Sequence, residues 1–347
     1  MLFRSNKSHT FGYGLVTYQT AYLKAHHPVA YMAALLTSVK DKLDKAAVYL
    51  ADCRSAGIPV LTPDINRAGA DFTALPVDQV PPGVELPHGC PGVIVFGLSA
   101  VRNVGLGLME QMLEERAENG PYASFHDFAE RAPEPVLHRR TVESLIRAGA
   151  FDGLGHPRLG LLAVFEQIID TTLTRRRERS QGVMSLFGEW GGEDADPVFE
   201  ETIEIPDREF DKSERLRVEK EMLGLYVSDH PLRGAESALR RRVERSVSDL
   251  ETMDDGSIVV VGGVVTTLGR KYTRAGDQMA TFVLEDLAAS IEVTVFPKML
   301  AAQGHKLQDD VIVAVKARLD RRDESRFGLI AMEITVLDGL SDGPAAL

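Results

Sequence analysis

Cysteine, tryptophan and long apolar runs are what this sequence has least of. Its 347 residues include two cysteines, Cys53 and Cys90. Two are too few for a disulfide framework or a thiolate metal site, and they point to a reducing compartment. There is one tryptophan. No apolar run approaches the ~18 residues a membrane span needs, and no apolar stretch follows the first charges as it would in a signal peptide. The expectation is a cytoplasmic chain with no membrane partner. Also lacking are a Walker-type phosphate loop, a Ser/His/Asp set and paired carboxylates on one strand. His26, His27, His88 and Cys90 fit no standard metal-site spacing. Neither a catalytic residue nor a metal ligand is expected, so the residues read as a binding assembly.

Positive charge is the scarcer sign, with a formal net charge of −12, but the deficit is concentrated. Gln181 to His230 hold fourteen Asp and Glu against five Lys and Arg, whereas residues 1–60 carry seven basic against three acidic, and 135–180 eight against five. An acidic connector thus joins neutral-to-basic modules, and a polyanionic partner remains compatible with the total. The length suggests two or three domains, each with its own core.

The first part reads as helical. Tyr18, Ala21, Tyr22 and Ala25 keep the i, i+3, i+4, i+7 spacing, Pro28 opens a second helix, and a third runs from about Asp41 to Gly57. Residues 58–61 and 93–96 are short β-like runs around a loop rich in proline and glycine. Short helices return over 98–155, one further helix over about 158–179, and another over about 209–224. From Ser257 the period becomes two. Strands are predicted at 258–265, 279–284, 290–296, 311–319 and 327–336, with a short helix at 297–303 before the fourth. That element order is the order of an OB barrel. The fold class expected is therefore multidomain α+β: helical modules, an acidic linker and an all-β barrel.

Three constellations carry the binding chemistry. Asn103-Val104-Gly105, beside Arg102, lies between two short helices, as in the hairpin that offers consecutive backbone N–H groups to a phosphate. A second turn, His138-Arg139-Arg140, opens the helix ending at Ala148-Gly149-Ala150. In the barrel's first hairpin Arg270, Lys271, Tyr272 and Arg274 combine cations with an aromatic face, as single-stranded nucleic acid requires. Phe282 and Phe296 read as barrel core. In the acidic stretch, Val183-Met184-Ser185-Leu186-Phe187 is an apolar plug suited to a partner's pocket.

Asn6-Lys-Ser-His9, Gly12-Tyr-Gly-Leu-Val16, residues 18–24 and 31–38, Lys45-Ala-Ala-Val-Tyr-Leu-Ala-Asp-Cys-Arg54, Pro63-Asp-Ile-Asn66, residues 145–152 and 221–232 together resemble the alpha subunit of bacterial DNA polymerase III, C-terminal portion, of the replicative actinobacterial type. The resemblance implies a division into the end of a fingers domain (1–90), a tandem helix-hairpin-helix domain for duplex (91–180), a linker with a sliding-clamp peptide (181–206), a helical connector (207–250) and an OB-fold single-strand-binding domain (251–340). It implies that Lys7, Ser8 and His9 face the incoming nucleotide and template. It also implies that 183–187 match the clamp-binding pattern, with Val183 where that pattern has Gln, and that Asn103 replaces a typical hairpin Gly. The partners implied are duplex and single-stranded DNA, the sliding clamp and the other polymerase III holoenzyme subunits. The family's catalytic aspartates belong to a palm with no counterpart in these residues, so Mg²⁺ is expected only in the full-length polymerase, and this chain alone is expected to be inactive. The alternative reading is a stand-alone, non-catalytic DNA-binding and clamp-tethering accessory protein.

Overall fold

Helical and strand periods separate along the sequence, and the structure, a computed structural model, separates in the same order into two compact units, Met1–Ser228 and Asp229–Leu347. It describes residues 7–80, 84, 86–181, 203–229, 231–232, 239, 241–273, 276–286, 289–323 and 326–337. The helical unit and the barrel bear out the expected α+β class.

The helical unit begins with α1 (Lys7–His26), α2 (Pro28–Ser38) and α3 (Leu43–Ser55). Pro28 takes the first position of α2, where its missing N–H costs nothing. Helix α1 starts well before the periodic residues 18–25, and from Thr10 to His26 it is exposed. A small sheet follows in the order β1 (Val60–Leu61), β3 (Val93–Val95), β2 (Thr73–Leu75), parallel then antiparallel. Then come α4 (Leu106–Asn119), α5 (Phe125–Arg131), α6 (Arg139–Ala148) and α7 (Arg158–Ser180). One hydrophobic cluster runs from Val29 to Leu223. Near its centre the rings of Tyr122, Phe125, Phe128 and Phe151 meet with centroids 5.0–5.9 Å apart. Helix α6 buries Val142, Leu145, Ile146 and Ala148. It stops at Gly149, whose φ of +88° suits a residue without Cβ.

Residues 203–228 return to this unit. The Gly160 N–H donates to the Arg208 carbonyl at 2.9 Å. A Cβ at Gly160 would run into the Pro206 carbonyl, so glycine on α7 lets the returning backbone lie against the helix. Helix α8 (Lys212–Leu223) is capped by Asp211, which accepts from the Glu214 N–H at 2.8 Å. It buries Met222 and Leu223 in the shared core. Beneath it lies a buried ion pair: Arg158 Nη1 stands 3.4 Å from Glu219 Oε2, with the side chains 3% and 0% exposed. Asp152 takes Arg158 Nη2 at 2.7 Å, and Glu219 Oε1 accepts the N–H groups of Val227 and Ser228 at 3.3 and 2.8 Å. Burial works against the Arg158 charge, but the hydrogen bond and charge of Asp152, with Glu219 and Glu209, outweigh it and raise its pKa.

The second unit is a closed barrel in the order β4 (Ile258–Tyr272), β5 (Gln278–Glu285), β6 (Ser290–Val295), β8 (Arg326–Val336), β7 (Ile312–Asp323). Helix α9 (Pro297–Gln303) stands between the third and fourth strands, as the sequence predicts. Val261, Phe282, Leu284, Val293, Val315 and Leu319 are among the side chains that fill the interior. β4 runs past the predicted end at Val265. A bulge between Thr266 and Gly269, with Thr267 at φ +53°, breaks the alternation while pairing with β5 resumes. Gly263 lies so close to β5 that a Cβ would stand 2.5 Å from the Glu285 carbonyl oxygen.

Candidate nucleic-acid interface

The first turn sits between a one-turn helix, Leu98–Ala100, and α4. Val101 and Val104 are buried and anchor it, leaving Arg102, Asn103 and Gly105 exposed. The Arg102 N–H donates to the Met222 carbonyl on α8 at 2.9 Å. Asn103 has φ +65°, a left-handed conformation that asparagine tolerates better than most residues. Its Nδ2 donates to Ser144 Oγ on α6 at 3.1 Å. Helix α4 has no side-chain cap at Gly105, and Leu106 and Gly107 are exposed. The Leu108 N–H turns back to the Gly105 carbonyl at 3.2 Å, while the N–H groups of Leu106 and Gly107 have no partner among the described residues at the positive end of the helix dipole.

The second turn opens α6 after a one-turn helix, Glu134–Leu137. Its two arginines differ. Arg139 reaches Glu166 at 3.0 Å and Asp170 at 2.7 Å, both on α7. Arg140 is exposed and has neither a hydrogen bond nor an ion pair among the described residues, and the same holds for the Arg102 side chain. Spacing around the turn gives both arginines equal weight. The signal that separates them is the i, i+4 pair of acids on α7, 27 and 31 residues away from Arg139. Three of the four arginines near the end of α7 are also engaged: Arg176 donates to the Ala132 carbonyl at 2.8 Å, Arg177 pairs with Glu134 at 3.0 Å and Arg179 with Glu130 at 3.6 Å.

The Pro63-Asp-Ile-Asn66 stretch proves to be a strap. Asn66 Nδ2 donates to the Tyr122 carbonyl and Asn66 Oδ1 accepts the Tyr122 N–H, each at 2.8 Å. Arg116 Nη1 donates to the Ile65 carbonyl at 2.6 Å.

In the barrel Arg270, Lys271 and Tyr272 end β4 and are exposed, Tyr272 by 73%. Lys271 pairs with Met279 and Gly269 with Thr281, which in turn pairs with Thr294. Alternation places these residues on the outer face, and Arg270 and Tyr272 on the opposite side at the rim. Phe282 points into the core, whereas Phe296 is 47% exposed, which corrects the expectation for Phe296. Phe282 lies mid-strand opposite Val293, but Phe296 follows the last residue of β6 and precedes α9. Thr294 pairs with Ile330 of the parallel β8; two residues further along each chain stand Phe296 and Met332, the latter 48% exposed.

Lys7, Ser8 and His9 form the first turn of α1. Val183, Met184, Ser185, Leu186 and Phe187 lie outside the described residues, as does Arg274. Among the described residues no three His, Cys, Asp or Glu side chains cluster as a metal site. No described helix is long and apolar enough to cross a membrane.

A helix-hairpin-helix unit and an OB-fold barrel define the class: residues 57–161 match the helix-hairpin-helix motif family, and residues 259–337 the OB-fold nucleic acid binding domain. Nearly the whole chain is also similar to the alpha subunit of bacterial DNA polymerase III. It is 42% identical to DNA polymerase III subunit alpha of Mycobacterium tuberculosis H37Rv over 96% of this chain and 27% of that one. For the Thermus aquaticus subunit the figures are 37%, 99% and 26%, and for that of Pseudomonas aeruginosa 34%, 92% and 27%. The chain thus spans about a quarter of the length of the curated relatives it matches.

Proposed function

We propose that this chain binds DNA within a replicative polymerase, holding duplex at the two helical turns and single-stranded template on the barrel. The observation that carries this reading is the pair Arg102 and Arg140. Each is exposed beside a helix start and free of ion pairs among the described residues, in a unit where most arginines are tied to acids or carbonyls. Cations beside exposed N–H groups suit phosphates, with no sequence preference. At the end of β4 the exposed Lys271 on the outer face, and Arg270 and Tyr272 across the rim from it, offer cations and a ring to a strand and its bases, with Phe296 a second exposed ring.

Fluorescence anisotropy with a labelled duplex and a labelled oligothymidylate tests the division. Arg102→Ala with Arg140→Ala weakens duplex binding and lowers its salt slope by about 2, one phosphate contact each. Single-strand binding is expected to stay unchanged. Arg270→Ala with Lys271→Ala does the reverse. Equal effects of both pairs on both ligands, or no binding of either ligand by the parent chain, would sink the reading.

The clamp reading of 183–187 belongs to the same proposal. Leu186 and Phe187 supply an aliphatic and an aromatic side chain for neighbouring pockets, contributing about 3–6 kcal/mol before ordering costs. A peptide covering 178–193 is expected to bind the cognate sliding clamp with micromolar affinity. If Leu186→Ala with Phe187→Ala leaves that binding intact, the assignment is wrong.

A further inference from the structure

We propose that Asn103 is a positioning residue that couples the two duplex-contacting turns, acting through Ser144 rather than through the DNA. The inference rests on the duplex-binding reading above. Three observations carry it. The first turn is held from two sides by polar bonds, its Arg102 N–H to the Met222 carbonyl of α8 and its Asn103 amide to Ser144 of α6. Ser144 is buried, 3% exposed, on the helix whose first residues are Arg139 and Arg140. And Asn103 occupies the left-handed region, where a hairpin glycine would do as well for the backbone but would carry no amide. The side chain therefore adds a link that the turn's own conformation does not need. That link sets Arg102 relative to the helix bearing Arg140.

Two turns held at fixed separation engage two phosphates of one duplex as a single event, because the ordering cost is met in folding rather than on binding. Cutting the link leaves each turn able to bind but lets the turns act separately.

The test uses the whole chain, Asn103→Gly, Ser144→Ala and the double variant. Glycine keeps the positive φ, and alanine keeps the volume of serine less one oxygen. Each single variant is expected to lose about three- to tenfold in duplex affinity, the range of one lost neutral hydrogen bond. The double variant is expected to be no weaker than the worse single one, as for two partners of one bond. The salt slope for duplex also falls in each variant, while binding to oligothymidylate stays at the parent value. Loss of slope is the readout that a merely stabilising role would not move. Duplex affinity and slope unchanged in a variant that melts as a folded protein overturn the proposal, and so do additive losses in the double variant. Ser144→Ala decides alone if Asn103→Gly does not fold. If the parent chain binds no duplex, the functional reading has failed. If it does bind duplex and the variants match it, only the coupling has failed.

Discussion

The helical unit and the barrel reach stability by different routes, and the contrast decides where each leaves charge free for a ligand. In the helical unit, side chains join residues far apart in sequence, through backbone groups or other side chains: Arg116 to the Ile65 carbonyl, Asn66 to both backbone groups of Tyr122, Arg158 to the Glu219 carboxylate across 61 positions. Arginine there is mostly scaffold, and only what is left over can meet DNA. In the barrel the closed ladder pairs backbone with backbone and the interior is apolar. Side chains brace the barrel at a few described points: Arg321 reaches the Leu250 and Met253 carbonyls at 3.2 Å, and Lys306 the Ile334 carbonyl at 2.7 Å. Arg270 and Lys271 stay on the surface, exposed at the end of β4.

The sharpest way to break this contrast is to damage each unit by the means proper to it. Glu219→Ala takes the fully buried carboxylate from Arg158 and the acceptor from the Val227 and Ser228 N–H groups. Breaking such a pair costs about 3–5 kcal/mol, and the lower end is expected because Asp152 still holds Arg158. Phe282→Ala opens a cavity in the barrel at a similar cost, about 3–5 kcal/mol. Calorimetry of both variants is expected to show two transitions, the first variant lowering only that of the helical unit and the second only that of the barrel. A single transition moved by either variant would mean that the units share one cooperative core.

A smaller effect sharpens the comparison by pH. Burial first, and then the nearby charge of His126, lower the pKa of His156 from its usual 6.5. The fold prefers the neutral ring, so its contribution is whole above about pH 6.5 and is lost as pH falls toward the folded value. Melting curves between pH 8 and pH 5 are expected to show the helical unit weakening on the acid side, with part of that slope missing in His156→Gln. An identical slope in the variant would show that other groups carry it.

How much could be read from the sequence follows the same contrast. The barrel was legible because strand order, alternation and Pro297 at a helix start are local signals. Only the bulge at Thr266–Gly269 hid the second half of β4. In the helical unit the helices were legible, down to the left-handed ends at Gly149 and Gly224. Illegible were the contacts that span tens of residues. No local pattern says that Glu166 and Asp170 hold Arg139, that Glu219 lies under Arg158, or that 203–228 return to the core. Phe296 was misread because an aromatic at a strand end looks like core until the end of the strand is known.

The return of residues 203–228 also sets a timetable. A ribosome adding about 5–20 residues each second completes α7 several seconds before it completes Ser228. Through that interval the Arg158 guanidinium has Asp152 but no Glu219, and the site of Met222 and Leu223 in the core stands open. The helical unit is therefore finished by a late-arriving piece of chain, and until it arrives the Arg102 N–H has no Met222 carbonyl to bind.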